Sequence, residues 1–404
     1  MYRSRISLYR LLIRTAARLS KISRERMKRK KRRSDIKMTR LRDIRENKCL
    51  RRAFVLLMVF MLTALTACSG GSSDGSSGGG EDGSETKVVR LASYPHGHVL
   101  NVIAENMGYL EEEGITVEYV KVESDAEVFE ALEKGTIDVA SNSGTNLPLE
   151  RIAAGQDLTI FGGYLLTGCM PIFAKADTEW TSIEDLIGKT VAFEPNLYCI
   201  TGPLLDMGYD PVKDINWYPT ANQEERIKAV KGGKADFGLV GTELNDAINK
   251  DPDLKVCTYA SDVMADYSCC RIEAMTEWVN ENPETVKALL RAWIRAMAYY
   301  DNHHDEAVAM MMEATGQDEE YLRAYMDNPH CNINIDPMKK SVVRAWGYMD
   351  GLGLLSADAE QIDINDHINT QLYKEALDEC QEKYGSENPE FYERMQGQYA
   401  RNNM

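Results

Sequence analysis

No run of eighteen apolar residues occurs anywhere in the 404-residue chain, so an architecture of several membrane-crossing helices is excluded. Histidine is scarce, with six copies, and no CxxC or HExxH spacing is present to gather ligands for zinc. No P-loop occurs, no glycine-rich nucleotide fingerprint lies between a strand and a helix, and no Ser-His-Asp elbow can be placed. Catalysis therefore has no signature here, and a non-enzymatic role without a cofactor is expected. The nine cysteines are too dispersed for a disulfide scaffold. Setting aside Cys49 and Cys68 leaves seven (169, 199, 257, 269, 270, 331, 380), an odd number, and most are expected to be buried thiols.

Charge is abundant but segregated. The chain has 47 Lys+Arg and 63 Asp+Glu, a formal net charge of −16. Residues 1–52 hold 21 bases and four acids, whereas the remainder holds 26 bases and 59 acids. So acidic a body repels nucleic-acid phosphates, and no nucleic-acid partner is expected. The basic arm precedes the apolar run Ala53–Ala64, which is too short for a span and has the dimensions of a secretory signal. Leu65-Thr66-Ala67-Cys68 resembles a bacterial lipobox, which implies cleavage before Cys68 and its lipidation; the alternative is an ordinary signal peptide with a chance cysteine. Met38 is the expected true start, which would leave the tract Arg24–Arg33 untranslated. Residues 1–67 are thus read as extension and signal, and 68–86 as lipidated cysteine and Gly/Ser tether, a coil of about 20–25 Å. One lipidated terminus would anchor the protein to the outer face of a bacterial cell membrane while the body stays in water.

Beyond residue 86 the periodicity alternates. Strands are expected over Lys87–Tyr94, Thr116–Val122, Ile137–Ala140, Leu158–Leu165 and Pro171–Lys175, with helices over Val99–Glu113 and Ala126–Lys134. The pattern restarts with a short helix at Ile183–Ile187, strands at Thr190–Phe193, Ile215–Tyr218 and Phe237–Val240, and helices at Thr201–Met207 and Glu224–Lys231. Such alternation predicts βαβ units and a largely parallel sheet. Residues 131–138 (ALEKGTID) align with 229–236 (AVKGGKAD) at a constant offset of 98, which suggests that one unit is used twice. After Glu277 the chain reads as helical: from Asn282-Pro283-Glu284 to about Glu313, then Glu319–Met326, Pro337–Gly351 and Asn369–Lys383. Met310-Met311-Met312 is read as core packing.

Several segments in this order resemble the extracytoplasmic solute-binding proteins of ABC importers, in the branch handling sulfonates, nitrate and thiamine-pyrimidine precursors. They are VVRLASYPHGHVLNVIAENMGYLEEEGITVEYV, ALEKGTIDVASNSG, SIEDLIGKTVAFEPN, NENPETVKALLRAWIRAM, and the late Gly353-Leu354-Leu355 with Tyr373–Leu377. The resemblance implies an α/β, two-lobed, periplasmic-binding-protein type II-like fold with a helical C-terminal segment. Residues 87–175 with about 266–404 would form lobe one and about 176–265 lobe two, joined by a hinge. It also implies a small-molecule ligand, permease and ATPase partners, and no chemistry; a monomer is expected.

In open α/β sheets ligands lie beyond the carboxyl ends of strands, beside helix N-termini. This reasoning selects Tyr94, His96 and His98; Asn142, Ser143, Gly144 and Thr145; Tyr164; Glu194, Asn196, Tyr198 and Thr201; and Gly241, Thr242 and Glu243, with Cys270 and Arg271 on the returning strand. The Ser and Thr hydroxyls have the alternative of capping their helices, and the tyrosines that of core packing. An anion would want Arg271, His96 or His98, whereas an aminopyrimidine would want stacking tyrosines and an acceptor such as Glu194 or Glu243. The lack of clustered cleft arginines favours a neutral or aromatic solute. Two other readings stand beside this one: a metal receptor using His96, His98 and Cys270, and a thiamine-pyrimidine synthase-like enzyme. Cys269 and Cys270 are expected on one strand, one facing the core and the other the cleft.

Overall fold

The computed structural model describes residues 86–93, 97–122, 125–168 and 170–404. The expected signal, Cys68 and tether, together with Tyr94, His96 and Cys169, lie outside the described residues. Strand β1 (Lys87–Ser93) pairs in parallel with β2 (Ile115–Lys121), Val89 opposite Val117. Between them the expected single helix is two, Val99–Met107 and Tyr109–Glu112. Gly108 divides them: at φ 77° its N–H returns to the carbonyls of Ala104 and Glu105, closing the first helix in a conformation that favours glycine.

The expectation of a largely parallel sheet is corrected. One four-stranded sheet runs β11 (Asn332–Ile333), β4 (Leu158–Thr167), β10 (Cys270–Met275), β3 (Ala140–Gly144), and its assigned neighbours are antiparallel. A five-stranded sheet runs β7 (Asn216–Trp217), β6 (Thr190–Ala192), β8 (Phe237–Leu239), β5 (Pro171–Lys175), β9 (Leu254–Tyr259). Its β7-β6-β8 part is parallel, and β5 pairs antiparallel to both β8 and β9. The alternation rule fails because β4 leads directly into β5 and β9 returns through β10. Those two links carry the chain from one sheet to the other and back, so the strands beside them run against the βαβ direction. β3 also begins later than expected, since Ile137–Val139 only approach it, through one bridge from Leu91 to Val139.

The repeated octapeptide folds twice into the same turn. Gly135 and Gly233 take φ 63° and 71°, and the N–H groups of Thr136 and Lys234 return 2.8 Å to the carbonyls of Ala131 and Ala229. Asp138 and Asp236 then accept from the backbone N–H of Arg90 and Thr190, at 2.8 and 2.9 Å. In the first copy the Arg90 guanidinium also grips Asp138, adding a bond at 3.0 Å from Nε.

The C-terminal region is helical, as expected, with one break. The helix predicted from Pro283 to Glu313 divides into Pro283–Asn302 and His304–Thr315, because His303 adopts φ −132° and ψ 47°, outside the helical region. Helices Glu319–Met326, Lys339–Gly351 and Gln371–Tyr384 follow, and then Pro389–Asn403, for which no expectation existed. Trp293, Leu289, Ile294 and Tyr373 pack with Val89, Leu91 and Ile103 in one core. Helix Lys339–Gly351 packs with Tyr198–Asp206, where a Cβ on Gly202 would lie only 2.5 Å from the Tyr348 ring. Among the described residues no helix is long and apolar enough to cross a membrane.

Candidate functional site

The ends of β3, β6 and β8 and the start of β10 carry the sequence-selected residues. In the four-stranded sheet, β3 ends at Gly144 and Thr145 opens the helix Asn146–Ala153. Thr145 does not cap that helix with its hydroxyl. Its N–H and Oγ1 both donate to the Cys269 carbonyl, at 2.9 and 3.3 Å, and it is fully buried with Ser143. Asn142 is half-buried on the same strand.

After β6, Asn196 and Tyr198 enter the helix Tyr198–Asp206, which likewise has no side-chain cap. Asn196 donates from Nδ2 to Glu150 Oε1 at 2.8 Å, and the Tyr198 hydroxyl donates to the Ser268 carbonyl and lies 2.9 Å from Ser268 Oγ. These bonds join the start of this helix to the helix after β3 and to the segment before β10. Tyr198 is buried and its hydroxyl engaged, so its ring is core-facing in this conformation. Burial, first of all, pushes its phenol well above the ordinary range. Thr201 is fully buried, and its hydroxyl donates to the Leu197 carbonyl at 3.2 Å, a local helix bond.

Gly241, Thr242 and Glu243 follow β8. The Gly241 N–H and the Glu243 carboxylate are held by the two ends of the Gln223 amide. Arg226, which sequence reasoning did not select, stacks over Phe193 at 4.1 Å, donates to the Leu239 carbonyl at 3.4 Å and lies 3.9 Å from Glu194. It is largely buried, and that desolvation lowers its pKa against the pull of Glu194 and Glu243. It comes from the first turns of helix Gln223–Lys231, where its 32-residue separation from Glu194 hides the pairing.

His98, Tyr164 and Arg271 lie deeper. His98 caps the helix Val99–Met107 through Nδ1, which accepts from the Asn101 N–H at 3.2 Å, and its ring stacks on Tyr164 at 3.9 Å. The Tyr164 hydroxyl accepts from the Val99 N–H at 3.1 Å, and burial raises its pKa. Arg271 is 0% exposed, with its guanidinium donating to the carbonyls of Asp336, Pro337 and Leu165 at 3.1, 3.0 and 2.9 Å. It ties β10 to β4 and to the 336–337 turn. The same crowding explains Gly163, where a Cβ would fall 2.6 Å from the Asp336 carbonyl oxygen.

The expected outward-and-inward split of Cys269 and Cys270 is corrected: their Sγ atoms converge to 3.5 Å, and both residues are half-buried. Strand β10 begins only at Cys270, so strand alternation does not govern Cys269. Cys199 and Cys380 are buried thiols as expected, but Cys257 and Cys331 are only half-buried. Among the described residues no three His, Cys, Asp or Glu side chains are placed to hold a metal ion.

A family model described as NMT1/THI5 like matches residues 96–307. No curated protein sequence matches the chain. Solved structures do. The periplasmic aliphatic sulphonate binding protein SsuA from Escherichia coli is 18% identical with a TM-score of 0.58, covering 70% of this chain and 92% of that one. The alkanesulfonate-binding protein SsuA from Xanthomonas axonopodis pv. citri, bound to MOPS, is 16% identical with a TM-score of 0.58, covering 70% and 98%. The periplasmic nitrate-binding protein NrtA from Synechocystis PCC 6803 is 17% identical with a TM-score of 0.56, covering 73% and 88%. The likeness is one of fold: two α/β lobes of the periplasmic-binding-protein kind.

Proposed function

This chain belongs to the NMT1/THI5-like family, and from that premise we propose that it is the solute-capturing subunit of an ABC importer. The observation that carries the reading is the meeting of two rims at the strand ends. Ser143–Thr145 and Cys269–Cys270 come from one lobe, and Glu194, Asn196, Arg226 and Thr242 from the other. Residues 87–175 with about 266–404 form the first lobe in this reading, and about 176–265 the second. The β4–β5 and β9–β10 links are the hinge. A solute bridging both rims stabilises the closed form by the contacts that it gains only there. The closed form then meets a permease and its ATPase.

The solute class supported best is a small sulfonate or nitrate-like anion. Two helices without side-chain caps begin at the rims, Arg226 lies against Phe193 and Glu194 after β6, and the similar structures named above bind such solutes by their names. A second reading, an amine-bearing ring such as an aminopyrimidine, rests on the Glu194 and Glu243 carboxylates that flank Arg226. Thermal unfolding with alkanesulfonates and taurine, nitrate, or aminopyrimidines separates the two. Solute at about 100 times its dissociation constant adds about 2.7 kcal/mol and raises the midpoint by several degrees. A rise with the first two groups supports the anion reading, a rise with aminopyrimidines alone supports the second, and no rise with any group overturns both.

Anchorage is part of the proposal. Cys68→Ser is expected to move the protein from the membrane fraction to the soluble extracytoplasmic fraction. Retention on membranes after salt washing would sink the anchor at Cys68.

A further inference from the structure

We propose that Cys269 and Cys270 form a thiol–disulfide exchange site, closing to a bond between neighbouring residues and thereby resetting the Thr145 corner of the cleft. Four observations converge on it. The two sulfurs are 3.5 Å apart with no covalent bond between them, and both residues are half-buried. A third sulfur, Met170 Sδ, lies 4.0 Å from Cys269 Sγ, so the pocket around the pair is soft and polarisable. Space there is tight, since a Cβ on Gly168 would lie 2.7 Å from Cys269 Sγ and 2.8 Å from Thr242 Oγ1, which brings the pair against a rim residue of the other lobe. Lastly, the Cys269 carbonyl, which belongs to the peptide between the two cysteines, is the acceptor for both Thr145 donors.

The two thiols are not equivalent. The hydrogen bond from Cys270, then that from Tyr267, holds Cys269 below the ordinary thiol range against the effect of burial, with Arg271 adding to the lowering. Cys270 is raised by the same bond. Burial pushes the Cys257 thiol up to about 11 and the Cys380 thiol up to about 12. Cys269 is therefore the attacking thiol and Cys270 the resolving one. Cys269 gives its proton to water, and its thiolate attacks one sulfur of a small disulfide, R–S–S–R. A mixed disulfide forms and one thiolate leaves, to be protonated. Cys270 then loses its proton to water and attacks Cys269 Sγ, expelling the second thiolate. The protein dithiol is oxidised by two electrons, and the reagent is reduced to two thiols.

Closure has a mechanical consequence. Adjacent Cα atoms are about 3.8 Å apart across a trans peptide, whereas disulfides ordinarily want about 4.4–6.8 Å. The intervening peptide must twist to let the sulfurs meet. Its carbonyl turns with it, and Thr145 loses the acceptor that fixes it at the mouth of the helix Asn146–Ala153.

The test treats the reduced full chain with oxidised glutathione. Intact mass should fall by two hydrogens, and proteolytic mapping should place the bond within the peptide carrying Cys269 and Cys270. Cys270→Ser should stop at a glutathione adduct on Cys269, whereas Cys257→Ser should still close. An adduct that persists on the unmutated chain, a bond mapped elsewhere or no reaction at all overturns the site. A phenylarsenoxide titration of the unmutated chain gives the same answer if the serine variant fails to fold, because a converging dithiol takes one equivalent tightly. The cleft consequence rests on the receptor reading above. The thermal shift given by an active solute should shrink at least several-fold after oxidation, and an unchanged shift removes the coupling to Thr145. If no solute shifts either form, the receptor reading fails, while mass and mapping still decide the exchange site.

Discussion

Arg271→Met should lower folding stability by about 3–5 kcal/mol, mainly through the three carbonyls that it would strand. The guanidinium is sealed from water and spans Leu165 on β4 and the Asp336 and Pro337 carbonyls in the turn before helix Lys339–Gly351. Methionine fills much of the same length but offers no donor, so each carbonyl keeps its desolvation cost without a partner. Removing a buried positive charge offsets part of that loss, because burial already works against its ionised form. Lysine should rescue only in part, since a single ammonium cannot match the planar fork that reaches three acceptors. Urea unfolding of the chain checks this, and a loss below about 1 kcal/mol for methionine would mean that the carbonyls find other partners.

Trp293→Ala should cost a similar amount, about 3–5 kcal/mol, and should disturb the His98–Tyr164 stack as well. The indole is wholly buried among residues of β1, the helix Val99–Met107 and the C-terminal helices. Its Nε1–H donates to Asn101 Oδ1 at 3.1 Å, and the Asn101 amide also meets the Tyr119 hydroxyl. His98 stacks against the same indole at 5.8 Å and against Tyr164 on its other flank. Truncation leaves a cavity, an amide oxygen without its donor and a histidine free to tilt. Two readouts check this: the urea midpoint, and the width of the His98 ring resonances. An intact midpoint would contradict the central place given to Trp293.

Much of the fold was legible because its signals are local. Pro171–Lys175 and Glu319–Met326 could be bounded to the residue, since a short apolar run in one and an acidic first turn in the other need no distant partner. The division of the long helix at His303 was not legible, as no proline or glycine interrupts the apolar period there. The helix Asn146–Ala153 was missed as an element although its mouth was marked, because Pro148 and a short apolar stripe hide its length. β9 was missed because its Lys, Cys and Thr are half-buried at a sheet edge. At the rims, strand-end reasoning marked positions in the chain but could not tell which way each side chain turns. Tyr198 and Arg271 point into the protein, whereas Arg226 was overlooked because its pairing with Glu194 and Phe193 exists only in three dimensions.

The paired turns at Asp138 and Asp236 bear on how such a chain comes together. Each aspartate reaches back only 48 or 46 residues to the strand N–H that donates to it, so both closures are loops of nearly equal entropic cost. Neither half waits on the other for this step. The long-range step is different in kind: Cys270 must meet Gly144, and the C-terminal helices must return to β1 across most of the sequence. A ribosome releasing this chain thus delivers two turns that close on nearby strands, and completes the core around β1 only when the last third of the sequence has emerged.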